Sequence, residues 1–106
     1  MTIVNLTPHS ITFVREGESS LVIEPSGILA RVSTKIETIG NIDGIPITKT
    51  AFGEVEGLPE PAEGTIYLVS SLVAQRVTNR NDVFIPSESV RDDQGRIIGC
   101  KSLGRI

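Results

Sequence analysis

The chain has 106 residues, a net charge of −3 and a hydrophobic fraction of 39%, which suits one domain over 1–106 with no room for a separate catalytic lobe. A negative sum lacks the cationic footprint by which proteins hold nucleic-acid polymers or anionic membrane surfaces. One Cys, one His and an aromatic fraction of 4% exclude an internal disulfide, a multi-histidine metal centre and an aromatic core.

Val and Ile dominate the apolar positions, and β-branched side chains pack well on a pleated sheet. The expected fold is therefore mainly β, in the α+β class: a small barrel or bent mixed sheet of six or more strands with one short helix. Thr2 to Leu6 reads as the first strand, broken by Thr7-Pro8-His9 because proline fixes φ and removes a donor. Ile11 to Val14 and Ser20 to Glu24 form a hairpin around Arg15-Glu16-Gly17-Glu18. After the turn Pro25-Ser26-Gly27, Ile28 to Ile36 alternates as a strand, with Ala30, Val32 and Thr34 on one face and Arg31 on the other.

Asn41-Ile42-Asp43-Gly44 is a turn, followed by a strand over Ile45 to Thr50 whose Pro46 favours an edge. Gly53 to Gly64, with three Gly, two Pro and four Glu, reads as loop. Thr65 to Val69 has the composition of a buried strand. Ser70 or Ser71 caps a helix reaching about Thr78, with Val69, Val73 and Val77 on one face and Asn79 as the ending residue. Val83 to Ile85 and Val90-Arg91 are short extended pieces around Pro86-Ser87-Glu88-Ser89, and Arg96 to Leu103 closes the chain as a strand.

Charge is unevenly spread. Thr50 to Gln75 holds Glu54, Glu56, Glu60 and Glu63 with no Lys or Arg, whereas Arg76 onward carries six basic and four acidic residues. This pattern suits solvated loops, or a homo-oligomer whose subunits pair head to tail. Glu54 with Glu56, and Asp92 with Asp93, lack the spaced oxygen ligands of a hard-cation site, so neither a metal nor a cofactor is expected. Lone Cys100 in an alternating strand reads as a small core residue, and its solitude, with no secretory leader or membrane-length apolar run, suits a cytoplasmic protein.

The candidate ligand-binding residues are Arg31, Arg80 and Arg91, which offer bidentate contacts to phosphate or carboxylate. Ser70 and Ser71 join them, at a helix start whose free N–H groups can hold an anion, together with His9, presented by a rigid corner. If the chain is an enzyme, His9 is the acid or base, assisted by Glu54 or Asp82. Ser70 or Ser71 with His9 and Asp82 makes a Ser-His-Asp set on paper, but without the strained elbow that exposes a nucleophile.

Asn5-Leu6-Thr7-Pro8-His9, Pro25-Ser26-Gly27 before Ala30-Arg31-Val32, Phe52-Gly53-Glu54-Val55-Glu56-Gly57-Leu58-Pro59, Tyr67 to Ala74 and Val90-Arg91-Asp92 before Gly95 follow one another in this order along nearly the whole chain. In these it resembles a group of small proteins encoded by tailed phages and prophages. The resemblance implies phage origin and action in the cytoplasm of an infected bacterial host; it carries no catalytic assignment. Small phage proteins often act on host defence, some as oligomers that sequester a nucleotide signal. By that analogy of context, the expected function is binding of a small nucleotide-type anion by a homo-oligomer. The alternatives are a small hydrolase or nucleotide-cleaving enzyme using His9, and a protein–protein inhibitor acting through the acidic 53–64 loop.

Overall fold

A computed structural model describes all residues, Met1–Ile106. The chain is mainly β, with eight strands and one short helix, and no helix is long and apolar enough to cross a membrane. Six strands make a barrel-like sheet and two make a separate ribbon. Strand β1 (Thr2–Asn5) lies parallel to β6 (Thr65–Leu68), from Thr2 opposite Thr65 to Asn5 opposite Leu68. The helix α1 (Ser71–Arg76) crosses from β6 to β7 (Val83–Arg91), again parallel. Beyond it come β8 (Ile97–Gly104), β2 (Ile11–Phe13) and β3 (Leu21–Ile23), giving the order β1-β6-β7-β8-β2-β3.

The alternation of side chains along the central strands builds two cores. Tyr67 and Val69 on β6, and Val83 on β7, pack with Leu6 and the helix residues Val73 and Ala74. Leu68, between Tyr67 and Val69, points the other way and meets Phe13 and Cys100, with Ile3, Ile11, Ile23 and Phe84 around them. The second cluster fills the barrel; the first lies beneath the helix. Fully burying one such aliphatic side chain stabilises the fold by about 1.5–3 kcal/mol.

Closure depends on Asn5. The outer strands β1 and β3 are joined by one bridge, Asn5 to Pro25, and by the Ser26 N–H donating to the Asn5 carbonyl at 2.9 Å. The side chain of Asn5, 1% exposed, does the rest. Its Nδ2 donates to the carbonyls of His9 and Ile23 at 2.8 and 3.0 Å, and its Oδ1 accepts from the N–H and hydroxyl of Thr7 at 2.9 and 2.7 Å. An amide has two donors and two acceptor positions, so its capacity is filled.

The ribbon departs from the sequence expectation. β4 spans Arg31–Ile42 and β5 spans Ile45–Glu56, joined by Asp43-Gly44 at φ 51° and 79°, the positive values of a type I′ hairpin turn. Twelve residues per strand make an arm about 40 Å long. Gly53 to Glu56, expected to be loop, is strand. Val55 is the one apolar residue among Gly53, Glu54 and Glu56, too few for an alternating pattern, yet the pairing from Arg31↔Glu56 to Ile42↔Ile45 holds, with irregularities at Val32/Thr34 and Thr38/Gly40. The first strand of the arm also starts and ends later than Ile28 to Ile36.

Only the arm's root is anchored. Val32 and Val55 pack against the helix-side core, and the Arg76 guanidinium lies 5.0 Å over the Phe52 ring. Gly57, at φ 81°, passes so close to Leu29 that a Cβ would strike its carbonyl oxygen.

Two further corrections concern the second half. The helix stops at Arg76 with Val77 as C-cap, short of Thr78 and Asn79, because the chain must turn at once to bring the Asp82 carbonyl onto the N–H of Tyr67 at 2.8 Å. Val83 to Arg91 is one continuous strand across Pro86. From Ile85 onward β7 pairs only with β8, so proline's missing N–H can face the unpaired side.

Replacing Asn5 by Leu should lower unfolding free energy by about 3 kcal/mol, because backbone groups of Thr7, His9 and Ile23 lose their buried partner. Thr7→Val, which removes one hydroxyl, should cost about 1 kcal/mol. Urea denaturation followed by circular dichroism measures both, and equal losses would contradict the central role of the amide.

Candidate functional site

The topology scatters the residues that the sequence nominates. Ser70 is the helix N-cap, its Oγ accepting from the Val73 N–H at 3.4 Å, and Ser71 is the first helical residue. Arg80 and Asp82 lie beyond the other end of the helix, whose six residues span about 9 Å. Arg91 is at the far end of β7 and gives its Nη1 hydrogen to the Gly95 carbonyl at 2.7 Å, bracing the β7–β8 turn. Arg31 is at the root of the arm, 3.5 Å from the Glu56 carboxylate and largely exposed.

His9 sits in the exposed turn after β1, at the same end of the parallel pair as Ser70 and Ser71, which follow β6. Its carbonyl accepts from the Asn5 amide, and the Thr7 hydroxyl, which donates its hydrogen to Asn5 at the shorter distance, lies 3.0 Å away. Hydrogen bonds join its imidazole to none of Ser70, Ser71, Glu54 and Asp82, so the triad assembled on paper is not formed. Glu54 lies on β5, opposite the irregular stretch of β4. No group of three His, Cys, Asp or Glu side chains gathers as a metal site would require.

The strongest electrostatic feature is Arg80 with Asp82. Nε donates to Oδ1 and Nη2 to Oδ2, both at 2.8 Å, and Nη2 also reaches the Pro59 carbonyl at 3.0 Å. Each side chain is only 18% exposed, so the pair is less screened than a surface ion pair. The guanidinium's hydrogen bonds hold the Asp82 carboxyl below its ordinary value of 3.8 and outweigh the opposing effect of burial. Asp92 is also lowered, chiefly by the Arg96 N–H bonding its carboxylate.

Of four concavities, only one is lined by a nominated residue. It is an open hollow of about 360 Å³ whose walls include Arg80, Asp82, Asn79 and Asn81. Asn81 also accepts the Arg105 guanidinium on its main-chain oxygen at 3.3 Å. Cys100 is in the barrel core with its thiol directed to the Thr12 carbonyl at 3.7 Å, and burial raises its pKa; it is placed as a core residue.

Three features escaped the sequence reading. Asn5 reads in the sequence only as a member of the first strand, and the aromatic contacts of Arg76 and Arg105, the latter 5.8 Å over Phe84, join residues far apart in sequence. The surface with the largest exposed apolar content is the arm, where Ile36, Ile39, Ile42 and Ile45 are each more than 60% exposed. The chain matches no protein-family model, no curated protein and no solved structure.

The depressed Asp82 pKa has a definite sign in stability. The folded carboxyl is harder to protonate than the unfolded one, so its contribution is complete above the unfolded value of 3.8 and disappears as pH falls through the lower folded value. Asp82→Asn should therefore cost about 2 kcal/mol near neutrality, and its stability curve should converge on that of the wild type as pH falls toward 2. Urea titrations at several pH values test this; a constant gap at all pH values would show that the charge of Asp82 is irrelevant.

Proposed function

We propose that the chain is a non-enzymatic binding protein whose working part is the β4–β5 arm and whose partner is a protein surface. The observation that carries this is the arm itself: an exposed two-stranded ribbon bearing large β-branched side chains beyond any support from the core. A lone ribbon of this kind is marginally stable in water, and an apolar surface of this extent marks an interaction site. The acidic stretch adds to the same side of the molecule's chemistry only in part, since Glu56 is engaged by Arg31. The contact is therefore assigned to the arm itself. The resemblance to phage proteins would place this contact in an infected bacterial cell.

A second reading is favoured by the hollow at Asn79 to Asp82. Its size falls at the low end of small-molecule sites, and a guanidinium with two amides suits a nucleotide-type anion. Within one chain, Arg80 already holds Asp82, so such a ligand must compete with an internal carboxylate. Arg31, Arg91, His9, Ser70 and Ser71 lie elsewhere and can join it only from another copy.

A photoreactive amino acid at Ile42 or Ile45 should yield a discrete covalent adduct in bacterial cells, whereas the same group at Glu16, in the β2–β3 turn, should not. Absence of an adduct from the arm rejects the protein-binding role. For the second reading, calorimetry against cyclic and linear nucleotides should give saturable heat; no heat across the panel removes it.

A further inference from the structure

We propose that the arm packs face to face on the arm of a second copy of this chain, related by a two-fold axis running along the ribbon. This rests on the reading of the arm as the working surface and names its partner. The chain exposes 7345 Å², whereas a compact monomer of 11.4 kDa exposes about 5,800 Å². The surplus of about 1,600 Å² per chain falls within the range that obligate homodimers bury, which begins at roughly 1,000 Å² per copy. The radius of gyration of 17.1 Å exceeds the value of about 13 Å for a compact domain of this length in the same sense.

The arm's pattern selects faces over edges. Pro46 removes a donor from β5, and the irregularity after Thr38 interrupts β4, two devices that blunt edge pairing. One face carries Ile45, Ile47 and Lys49 by alternation along β5, and Ile42, Gly40 and Glu37 opposite them on β4. A two-fold axis along the arm sets β4 of one copy over β5 of the other at the same height. Ile42 then meets Ile45, Ile47 meets Gly40, and Glu37 meets Lys49. Each large side chain faces an apolar or empty position, and each charge faces its opposite. Glu37 and Lys49 form no ion pair within their own chain, so both remain available. Mixed signs on one face suit a copy of itself better than a partner of uniform charge.

Gly40 supplies the discriminating variant. A Cβ there meets nothing within 4 Å in its own chain, and its φ is not in the left-handed region, so Gly40→Leu should leave the folded chain unaltered while colliding with Ile47 of a second copy. Sedimentation velocity of the full chain should show twice the 11.4 kDa mass. Gly40→Leu and the pair Ile42→Asp with Ile45→Asp should each weaken association at least about 30-fold, the effect of losing a central contact, with an unchanged circular dichroism spectrum. Glu37→Lys should weaken it too, and adding Lys49→Glu should restore it. A monomer at high micromolar concentration, or variants that associate like the wild type, would overturn the proposal. If the chain is monomeric yet photocrosslinks through Ile42 or Ile45 to a different protein, self-pairing fails and the arm's binding role stands; silence in both assays removes both.

Discussion

The rest of the molecule hangs on how one buried amide closes an otherwise open sheet. A six-stranded sheet ordered β1-β6-β7-β8-β2-β3 has two free edges, and free edges invite pairing with other chains. Here β1 and β3 are held by Asn5, whose side chain reaches Ile23 across the gap and the turn that follows β1. No other residue type of this size offers two donors and two acceptors at one point. The same residue launches the chain toward the arm, because the Ser26 N–H bonds its carbonyl and the Ala30 N–H bonds the carbonyl of Leu6.

With the edge closed, the inward and outward faces of β6 acquire different duties. Leu68 turns into the barrel while Tyr67 and Val69 turn toward the helix and the arm's root. The root is therefore fixed to the core through Val32 and Val55, and the remaining length has no support from its own chain. An anchored base with an uncovered apolar end confines that surface to one region beside the core, while the ribbon's own pairing holds it extended. That distinguishes the arm from a disordered tail of similar composition, which would have to be ordered on contact.

The polar residues obey a shorter-range logic. Arg80 and Asp82 are two residues apart in a tight connection, so each satisfies the other locally. Arg91 is drawn into its own turn in the same way, toward the Gly95 carbonyl. The parallel β6-α1-β7 unit then keeps the helix start and the Arg80 turn at opposite ends of α1. Local satisfaction and chain direction together disperse the cations that composition alone makes look like one binding set.

What the sequence determined by itself is what short-range chemistry controls: a β-rich aliphatic fold, the Asp43-Gly44 and Gly17 hairpins, a serine cap at Ser70 or Ser71, and Cys100 as a core residue. These depend on φ preferences, alternation and local hydrogen bonds, all written within a few residues. Only the tertiary structure decided the continuation of β5 through Gly53 to Glu56, because its Gly and Glu residues carry no alternation and it is strand through its pairing with Arg31 and Val32 and the packing of Val55 on the core. It alone decided the continuity of β7 across Pro86, which depends on having a neighbour on one side only. It also decided that Asn5 closes the barrel, since its partners at Ile23 and Pro25 lie about twenty residues away. Long-range pairing, not residue type, turned an Asn of the first strand into the keystone and an ordinary run of Ile and Thr into an arm.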